Sequence, residues 1–280
     1  MKIACLQFNP KLGEIEKNQN FASGLLESYK PGDIDILVLP EMAFTGYMFK
    51  SKEHIKPYLE DAETGITIRW AKAQAIRLRS FVMVGYPQIV KGNPDIYYNS
   101  ICFIGRDGEL IETYSKHFLY TTDESWANEG PEFKAINVDS LGKVGFGICM
   151  DLNRYQFKAP FDVYEFADFH LQQRTKIVLC SMAWLSNNDN YNDNDNNHEI
   201  STINYWCNRL SPLILNNNND IGNILVVVCN RTGIEDSTTF AGSSSILSIS
   251  PSTGSVHLLG SLGKRQESIM IIDVPIDDDT

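Results

Sequence analysis

The sequence predicts a layered α/β domain, and three observations support this fold class. Strand-like and helix-like segments alternate along the 280 residues, beginning with a strand over residues 2–8 and a helix over residues 14–29. The run from Ile34 to Leu39 is almost continuously apolar, as expected of a strand that is covered on both faces. The chain has no short-period repeat of the kind that builds solenoids or propellers. We therefore expect buried sheets with helices packed against them.

The other elements follow from hydrophobic spacing and from the turn residues that separate the segments. Helical spacing covers residues 64–80, where Thr64 would cap the first turn, and recurs at residues 162–174 and 203–210. Apolar runs between turn residues predict the remaining strands, at residues 81–85, 97–104, 109–114, 133–138, 143–148, 176–180, 224–229, 244–250 and 268–274.

Two tracts rich in asparagine and aspartate interrupt this pattern, near residues 186–199 and 216–220. They contain too little apolar surface to order themselves, so we expect mobile surface insertions. Strand-like runs continue beyond both tracts, which means that neither marks a domain boundary. We expect a single domain over residues 1–276, followed by a frayed acidic tail at residues 277–280.

The formal net charge of −11 limits the partners that we expect. Polyanions repel a strongly acidic chain, so the charge disfavours binding to nucleic acid or to an anionic membrane. No apolar run approaches the roughly 20 residues that a membrane-spanning helix needs. The chain starts directly with a strand-like segment, which leaves no space for a targeting peptide. We expect a cytoplasmic or nuclear protein.

Cysteine and histidine spacing gives no indication of a metal site. None of the six cysteines forms a Cys-x-x-Cys pair, and the five histidines show no paired ligand spacing. Most of the cysteines lie in apolar strand-like runs, as core thiols do, and this usage suits a reducing compartment. We therefore expect neither a metal nor another cofactor.

Three residues with catalytic chemistry follow predicted strands. Cys149 ends the apolar run that starts at Val144, Glu41 follows the strand that ends at Leu39, and Lys116 follows the strand at residues 109–114. A sharp turn after a buried strand can present a nucleophile at the edge of a sheet. A carboxylate can take the thiol proton, and a lysine can stabilise an oxyanion. Together they are sufficient for acyl transfer from an amide or nitrile carbon.

Each of these residues also has an ordinary structural interpretation. Cys149 is equally compatible with a buried core thiol, Glu41 with a turn residue at the rim of a sheet, and Lys116 with a solvated surface lysine. The general chemistry of active sites does not by itself assemble the three residues into one site.

Three motifs around these residues resemble the catalytic blocks of the nitrilase superfamily of carbon–nitrogen hydrolases. They occur in the family's order and at similar intervals, as Leu39-Pro-Glu41, Tyr114-Ser-Lys116-His and Gly147-Ile-Cys149-Met-Asp151. Similarity at the first strand and around residues 230–254 extends the resemblance over nearly the whole chain. The resemblance implies a four-layer αββα sandwich in which a Glu-Lys-Cys triad lies at the ends of the strands.

The resemblance also implies a role for each residue of the triad. Cys149 would attack the carboxamide carbon of the substrate. Glu41 would take the thiol proton, pass a proton to the departing ammonia and then activate water. Lys116 and the backbone N–H of Met150 would hold the oxyanion. No metal or cofactor is implied.

Within the superfamily, the segment from Lys116 to Gly130 and the motif Cys149-Met-Asp-Leu-Asn153 are similar to the fungal protein N-terminal amidases. Those enzymes deamidate N-terminal Asn and Gln of proteins in the N-degron pathway. The resemblance therefore implies peptide or protein N-termini as substrates.

Further site residues are expected from this resemblance. Members of the superfamily often carry a second glutamate shortly after the lysine, and we assign it to Glu124, with Glu129 as the alternative. A substrate with a free α-ammonium group needs a carboxylate facing it, for which Asp151 and Asp123 are the candidates. Both acids are also compatible with caps or turns.

Two tryptophans complete the expected site. Trp126 and Trp184 are candidates for the wall of the substrate pocket, although the core packing that is usual for tryptophan is also compatible with their sequence positions.

Two other functions stay open at this point. The first is a small-molecule amidase of the same superfamily, such as an ω-amidase or an N-carbamoyl amine hydrolase. The second is an inactive binding member of the fold, which the intact triad disfavours. Either a monomer or a homodimer is compatible with the sequence.

Overall fold

The computed structural model describes residues 1–186, 197–216 and 222–275. Within these residues, strands and helices alternate as predicted and build two six-stranded sheets. Most of the two asparagine-rich tracts, and the tail at residues 277–280, lie outside the described residues. Their expected mobility, and the domain bounds of 1–276, therefore stay predictions.

Apolar and β-branched segments form the strands, largely where the sequence predicts them. In the described residues the strands are β1 Lys2–Gln7, β2 Ile36–Val38, β3 Phe81–Val90, β4 Ile96–Ile104, β5 Leu110–Ser115, β6 Lys134–Val138, β7 Gly142–Ile148, β8 Ile177–Met182, β9 Ile224–Asn230, β10 Ile234–Glu235, β11 Thr238–Thr239, β12 Ser245–Ser250, β13 Ser255–Ser261 and β14 Ser268–Asp273.

The helices are mostly shorter than the hydrophobic spacing predicts. They are α1 Ile15–Leu26, α2 Lys52–Ile55, α3 Ile66–Leu78, α4 Thr121–Glu124, α5 Glu165–Gln172, α6 Ile200–Arg209 and α7 Ser211–Ile214, with 3₁₀ turns at Lys56–Tyr58, Cys149–Leu152 and Tyr155–Phe157.

Each large sheet has a parallel centre. The first sheet has the order β14-β1-β2-β3-β4-β5, in which β1, β2 and β3 are parallel. The second has the order β13-β12-β9-β8-β7-β6, in which β7, β8 and β9 are parallel. Because β5 returns antiparallel to β4, and β4 antiparallel to β3, β5 ends at the same edge as β2 and β3. Strands β10 and β11 form a separate hairpin.

Alternate residues of β1 show how the layers pack. Ile3 and Cys5 are fully buried in the core between the two sheets, whereas Ala4 and Leu6 are fully buried against helices. The Cys5 Sγ lies 3.8 Å from the carbonyl oxygen of Val228 in the opposite sheet. The strand is therefore covered on both faces, as its apolar sequence predicts.

Helices cover the outer face of each sheet. Helices α1 and α3 pack on the first sheet through residues that include Ala22, Ala71 and Ala75, whose small side chains allow a close approach. Helices α5 and α6 contribute Phe166 and Trp206 to the core of the second sheet. The predicted αββα sandwich is confirmed.

Two glycines of β7 allow α5 to approach the strand that directly precedes Cys149. A Cβ atom added to Gly145 would lie 2.3 Å from Cε1 of His170, and one added to Gly147 would lie 2.7 Å from Cζ of Phe166. Carbon atoms do not pack at such distances. Helix α5 thus packs directly against the backbone of β7, and β7 cannot shift without displacing α5.

The start of α3 differs from the prediction. Thr64 does not cap this helix, whose N-cap residue is Gly65. The Glu60 carboxylate instead accepts hydrogen bonds from the Thr67 backbone N–H at 2.7 Å and from Thr67 Oγ1 at 2.6 Å. The acceptor comes from outside the helix, so a local capping pattern does not reveal it.

Strand β13 and the β10–β11 hairpin have no counterpart among the predicted elements. Every residue of β13 is half-buried or exposed, because this strand lies at the edge of its sheet. It therefore lacks the buried apolar run by which the other strands are predicted.

We expect the Gly145→Ala substitution to lower the free energy of unfolding by about 1–3 kcal/mol, because the added methyl group overlaps the His170 ring. Thermal denaturation followed by circular dichroism measures the effect. Gly24→Ala is the matched control: Gly24 lies inside α1, and a Cβ added there would have no atom within 4 Å, so alanine should leave the melting temperature unchanged or raise it. Equal melting temperatures for the two variants would contradict this account of β7.

Candidate active site

The three residues of the predicted triad meet where strands of the two sheets end. Glu41 follows β2, Lys116 follows β5 directly and Cys149 follows β7 directly. All three side chains are buried: Glu41 and Lys116 are fully inaccessible, and Cys149 is 8% exposed. The sequence prediction that these residues share one site is consistent with this arrangement.

The backbone is strained at this site. Cys149 has a φ angle of 43°, and Met42, directly after Glu41, has a φ angle of 51°. Residues other than glycine seldom adopt this left-handed conformation, and it is found preferentially at functional sites. At Cys149 the strained residue begins the 3₁₀ turn Cys149–Leu152, which turns the chain sharply away from the end of β7.

Lys116 is held between two carboxylates. Its Nζ donates to Glu41 Oε1 at 2.7 Å and to Asp123 Oδ2 at 2.5 Å. All three side chains are completely buried. A buried ammonium group needs such partners, because removing a charge from water is costly.

Glu41 is fixed by two further donors. The side-chain amide of Asn99 donates to Glu41 Oε1 at 2.7 Å, and the backbone N–H of Ala183 donates to Glu41 Oε2 at 2.7 Å. Ala183 follows β8 in the second sheet, whereas Asn99 lies in β4 of the first. The carboxylate therefore connects the two sheets.

Asp123, and not Glu124, is the second acid beside the lysine. Asp123 accepts hydrogen bonds from Asn99 at 3.0 Å and from the Tyr47 hydroxyl at 3.2 Å, in addition to Lys116. Glu124 is exposed at the end of α4. The prediction that Glu124 is this second acid is wrong, because in the single turn of α4 the side chain of Asp123 faces inward and that of Glu124 faces solvent.

The alternative, Glu129, is also exposed, and its carboxylate accepts a hydrogen bond from the Tyr155 hydroxyl at 2.8 Å. Asp123 itself is enclosed by its donors within the protein, so its geometry fits the positioning of Lys116 better than contact with a substrate ammonium group.

The buried charges shift the pKa values of the triad. Burial raises the pKa of Glu41 above its usual range, although Lys116 opposes this shift. Burial alone would lower the pKa of Lys116, but the negative charges of Asp123 and Glu41 outweigh it and raise that pKa. Burial and the charge of Glu41 raise the pKa of the Cys149 thiol well above its usual range. The free site therefore holds a neutral thiol next to an ion pair.

A pocket of about 310 Å³ opens beside Cys149. Its walls are mainly aromatic and apolar, and none of the described residues that line it is an acid. They are Tyr120, Cys149, Met150, Asn153, Phe157, Ala183, Trp184, Leu185 and Tyr205.

Asp151 does not face this pocket, contrary to the sequence prediction. It is fully buried, and the hydroxyl of Tyr114 and the backbone N–H groups of His117, Phe118 and Ile148 all donate to its two carboxylate oxygens, at 2.8–3.1 Å. Four donors leave no room for a substrate ammonium group. The predicted role in substrate binding is wrong, because proximity in sequence to Cys149 does not specify the direction of the side chain.

The position of Asp151 gives it a structural function. Its donors come from the end of β5, next to Lys116, and from the end of β7, next to Cys149. One carboxylate thus ties the lysine-bearing strand of the first sheet to the nucleophile-bearing strand of the second.

The other predicted wall and oxyanion residues are placed as follows. Trp184 lines the pocket, in agreement with its predicted position, and so does Met150, whose backbone N–H stays a predicted oxyanion donor. Trp126 does not line the pocket; it is 1% exposed and packs in a core with Met42 and Tyr47, among others. The role predicted for Trp126 in the pocket is wrong, because its ring packs in this core and does not line the pocket.

Two residues of the buried site are absent from the sequence prediction. Asn99 binds both carboxylates that hold Lys116, and Tyr47 donates to one of them while its ring lies 5.7 Å from the Lys116 Nζ. A signal for Asn99 was present, since an amide within the apolar run of β4 needs buried partners. No local pattern indicates Tyr47.

The described part of the chain contains no cluster of three or more His, Cys, Asp or Glu side chains arranged to hold a metal ion. All six cysteines lie in that part, and each is a free thiol. None of the described helices has the length and apolar character that crossing a bilayer requires.

Comparison with known proteins places this site in a family. The model of the carbon-nitrogen hydrolase family matches residues 2–156, which contain all three triad residues. The chain belongs to the carbon–nitrogen hydrolase family. The predicted resemblance to that superfamily is thereby confirmed.

Within this family, the chain is similar to protein N-terminal amidases. A protein N-terminal amidase of Schizosaccharomyces pombe is 36% identical, over 97% of this chain and 98% of its own length. An N-terminal amidase solved with an Asn-Glu-Ala peptide has the same fold, with a TM-score of 0.86 and 23% identity over 98% of this chain and 97% of that one. Another, solved with a Gln-Gly peptide, gives a TM-score of 0.85 and 23% identity over 97% and 96% of the two chains. The predicted similarity to fungal N-terminal amidases is confirmed.

We expect Asp151→Asn to destabilise the protein by about 2–4 kcal/mol, because an amide cannot accept from all four donors and hydrogen bonds to a charged group are strong. The melting temperature measures this loss. Asp139→Asn, at an exposed position, is the matched control and should melt like the parent protein. An Asp151→Asn protein that melts normally and only binds substrate more weakly would instead support the predicted role of Asp151 in binding the α-ammonium group of the substrate.

The pH dependence of kcat/KM tests the state of Glu41. A general base must be ionised, and its raised pKa means that activity is lost as pH falls through a value above the usual glutamate pKa of about 4.3. Asp123→Asn should move this loss to lower pH, because the negative charge of Asp123 contributes to the shift. An acidic limb at or below pH ~4.3 in the parent enzyme would contradict the assignment of Glu41 as a buried base.

Proposed function

We propose that this protein is an N-terminal amidase, which converts N-terminal Asn and Gln of peptides and proteins to Asp and Glu with release of ammonia. The observation that carries this proposal is the buried Lys116, paired with Glu41 next to the Cys149 thiol at the base of a pocket. The substrate class follows from the relatives, because a protein N-terminal amidase matches the chain along nearly its entire length.

The first half of the reaction forms a thioester. The Cys149 sulfur attacks the carboxamide carbon as the thiol proton passes to Glu41. Negative charge moves to the carboxamide oxygen, where the backbone N–H of Met150 and a proton of Lys116 can stabilise it. The Lys116 ammonium group has three N–H donors, and the carboxylates of Glu41 and Asp123 accept from two of them. The third N–H is therefore the one that would donate to the oxyanion. Glu41 then gives its proton to the departing nitrogen, which leaves as ammonia.

The second half hydrolyses the thioester. Glu41, ionised again, takes a proton from water as the water oxygen attacks the thioester carbon. The carbon–sulfur bond then breaks, the acid leaves, and the proton returns to the sulfur of Cys149. The raised pKa of the thiol favours this return, because the thiolate is a poor resting state at the buried position.

The shape of the pocket mouth supports a peptide substrate. Phe157, which lines the pocket, is 44% exposed, and Phe161, whose ring centroid lies 6.4 Å from that of Tyr205, is 50% exposed. Exposed aromatic side chains beside a catalytic pocket provide a surface over which a peptide chain can leave the site. A small-molecule amidase would instead be expected to enclose its whole substrate.

The cellular location of the protein stays a prediction, and so does its assembly as a monomer or a homodimer. We propose a cytoplasmic or nuclear location, supported by the six free thiols. Cell fractionation tests the location, and recovery with secreted material would contradict it. The products, N-terminal Asp and Glu, are those expected of an enzyme of the N-degron pathway.

Mass spectrometry of synthetic peptides tests the proposed reaction. Peptides that begin with Asn or Gln should be converted to the corresponding acids, whereas N-acetylated copies should not react. Release of ammonia from free glutamine-like or carbamoyl compounds, with no reaction of either peptide, would favour the small-molecule amidase. Absence of turnover on all of these would favour the inactive binding protein.

Cys149→Ala provides the control for the chemistry. It should abolish turnover and leave the melting temperature close to that of the parent, because only one sulfur atom is removed and the space it leaves adjoins the pocket. Cys207→Ala, at a half-buried cysteine on α6, should retain activity. Ammonia release by Cys149→Ala at the parent rate would rule out the thioester mechanism.

A further inference from the structure

The α-ammonium group of the proposed substrate needs an acceptor inside the pocket, and this inference rests on the proposed function. The ammonium nitrogen of an N-terminal Asn is only three bonds from the carboxamide carbon that Cys149 attacks, and that of Gln is four. Its acceptor must therefore lie within the same pocket. Asp151 and Asp123 are occupied by donors of the protein, and the described lining residues include no carboxylate.

We propose that the side-chain carbonyl of Asn153 binds the α-ammonium group of the substrate, next to the rings of Trp184 and Tyr205. Asn153 lines the pocket with Cys149 and is 5% exposed. Its backbone N–H donates to the Met150 carbonyl at 2.9 Å, so it lies within one turn of the nucleophile. It carries the one side-chain carbonyl oxygen among the described lining residues.

Two contacts fix the direction of the Asn153 amide. Its Nδ2 lies 3.4 Å from the sulfur of Met150, and its Oδ1 accepts a hydrogen bond from the Tyr205 hydroxyl at 2.6 Å. A thioether sulfur can only accept, so the nitrogen must face it and the oxygen must face Tyr205. A carbonyl oxygen has two lone pairs, so Oδ1 can accept from a second donor in addition to the Tyr205 hydroxyl.

Aromatic rings can supply the remaining stabilisation. Trp184 and Tyr205 line the same pocket, with ring centroids 5.7 Å apart and planes at 49° to each other. A cation near such faces is attracted by the negative charge above the rings. A neutral carbonyl with two ring faces can thus select a charged amine without adding another negative charge near Glu41, where it would further raise the pKa of that base.

The test compares two substrates that differ only in the amine: Asn-Ala-Phe amide and its desamino counterpart, succinamoyl-Ala-Phe amide. The ratio of their kcat/KM values measures recognition of the ammonium group. We expect Asn153→Ala to lower this ratio by about tenfold or more, the effect of losing a hydrogen bond to a charged group. Asn208→Ala, at an exposed position of α6, is the matched control and should keep the parent ratio.

Asn153→Asp keeps the test decisive if the alanine variant fails to fold. The carboxylate retains an oxygen at the same place and adds charge, so the ratio should equal or exceed that of the parent. An unchanged ratio in Asn153→Ala, or a lowered ratio in Asn153→Asp, would overturn the proposal.

The parent enzyme separates failure of this inference from failure of the proposed function. A parent that hydrolyses both substrates equally well is an amidase that does not recognise the ammonium group, which overturns the role of Asn153 alone. A parent that hydrolyses neither substrate overturns the N-terminal amidase assignment, and with it this inference.

Discussion

The buried ion cluster around Lys116 holds the active site together. One ammonium group lies between the carboxylates of Glu41 and Asp123, out of contact with solvent. Charges at such depth are tolerated only when each finds hydrogen-bonding partners, and removal of one partner typically costs about 3–5 kcal/mol. Asn99, the backbone N–H of Ala183 and the Tyr47 hydroxyl also donate to these carboxylates. Because these donors come from both sheets, the cluster can exist only when the sheets are packed together.

A second carboxylate stabilises the same junction without entering the chemistry. Asp151 collects donors from the ends of β5 and β7, which carry Lys116 and Cys149. The glycines of β7 add to this rigidity, because α5 packs on them so closely that the strand has little freedom to move. Strain in the backbone at the nucleophile can persist because these contacts surround it.

The electrostatics of the site favour a nucleophile that is activated only during the reaction. The resting thiol is neutral because burial and the nearby charge of Glu41 raise its pKa. In the proposed mechanism, Glu41 takes the proton as the sulfur attacks, and Lys116 stabilises the developing negative charge. The pocket beside this cluster is lined mainly by aromatic and apolar side chains together with the amide of Asn153, so its lining differs in chemistry from the charged residues of the buried cluster.

The fold class and most of the strands could be predicted from the amino-acid sequence, and the resemblance to the nitrilase superfamily grouped three residues at strand ends into a predicted triad. Buried strands must be continuously apolar, so their ends can be read from the sequence, and reactive side chains at those ends are conspicuous. Glu41 and Cys149 follow such strands, whereas Lys116 follows the half-buried strand β5. These features are local, because each depends on residues that are neighbours in the chain.

The direction and the partners of the remaining side chains depend on how the layers pack. Asp151 and Trp126 point into the protein, Glu124 points to solvent, and Asn99 joins two carboxylates that are distant from it in sequence. These outcomes depend on a turn at the end of a strand and on contacts between the sheets. The pairing of Asn153 with Tyr205 of α6 arises in the same way, because residues 52 positions apart meet only after the layers have packed.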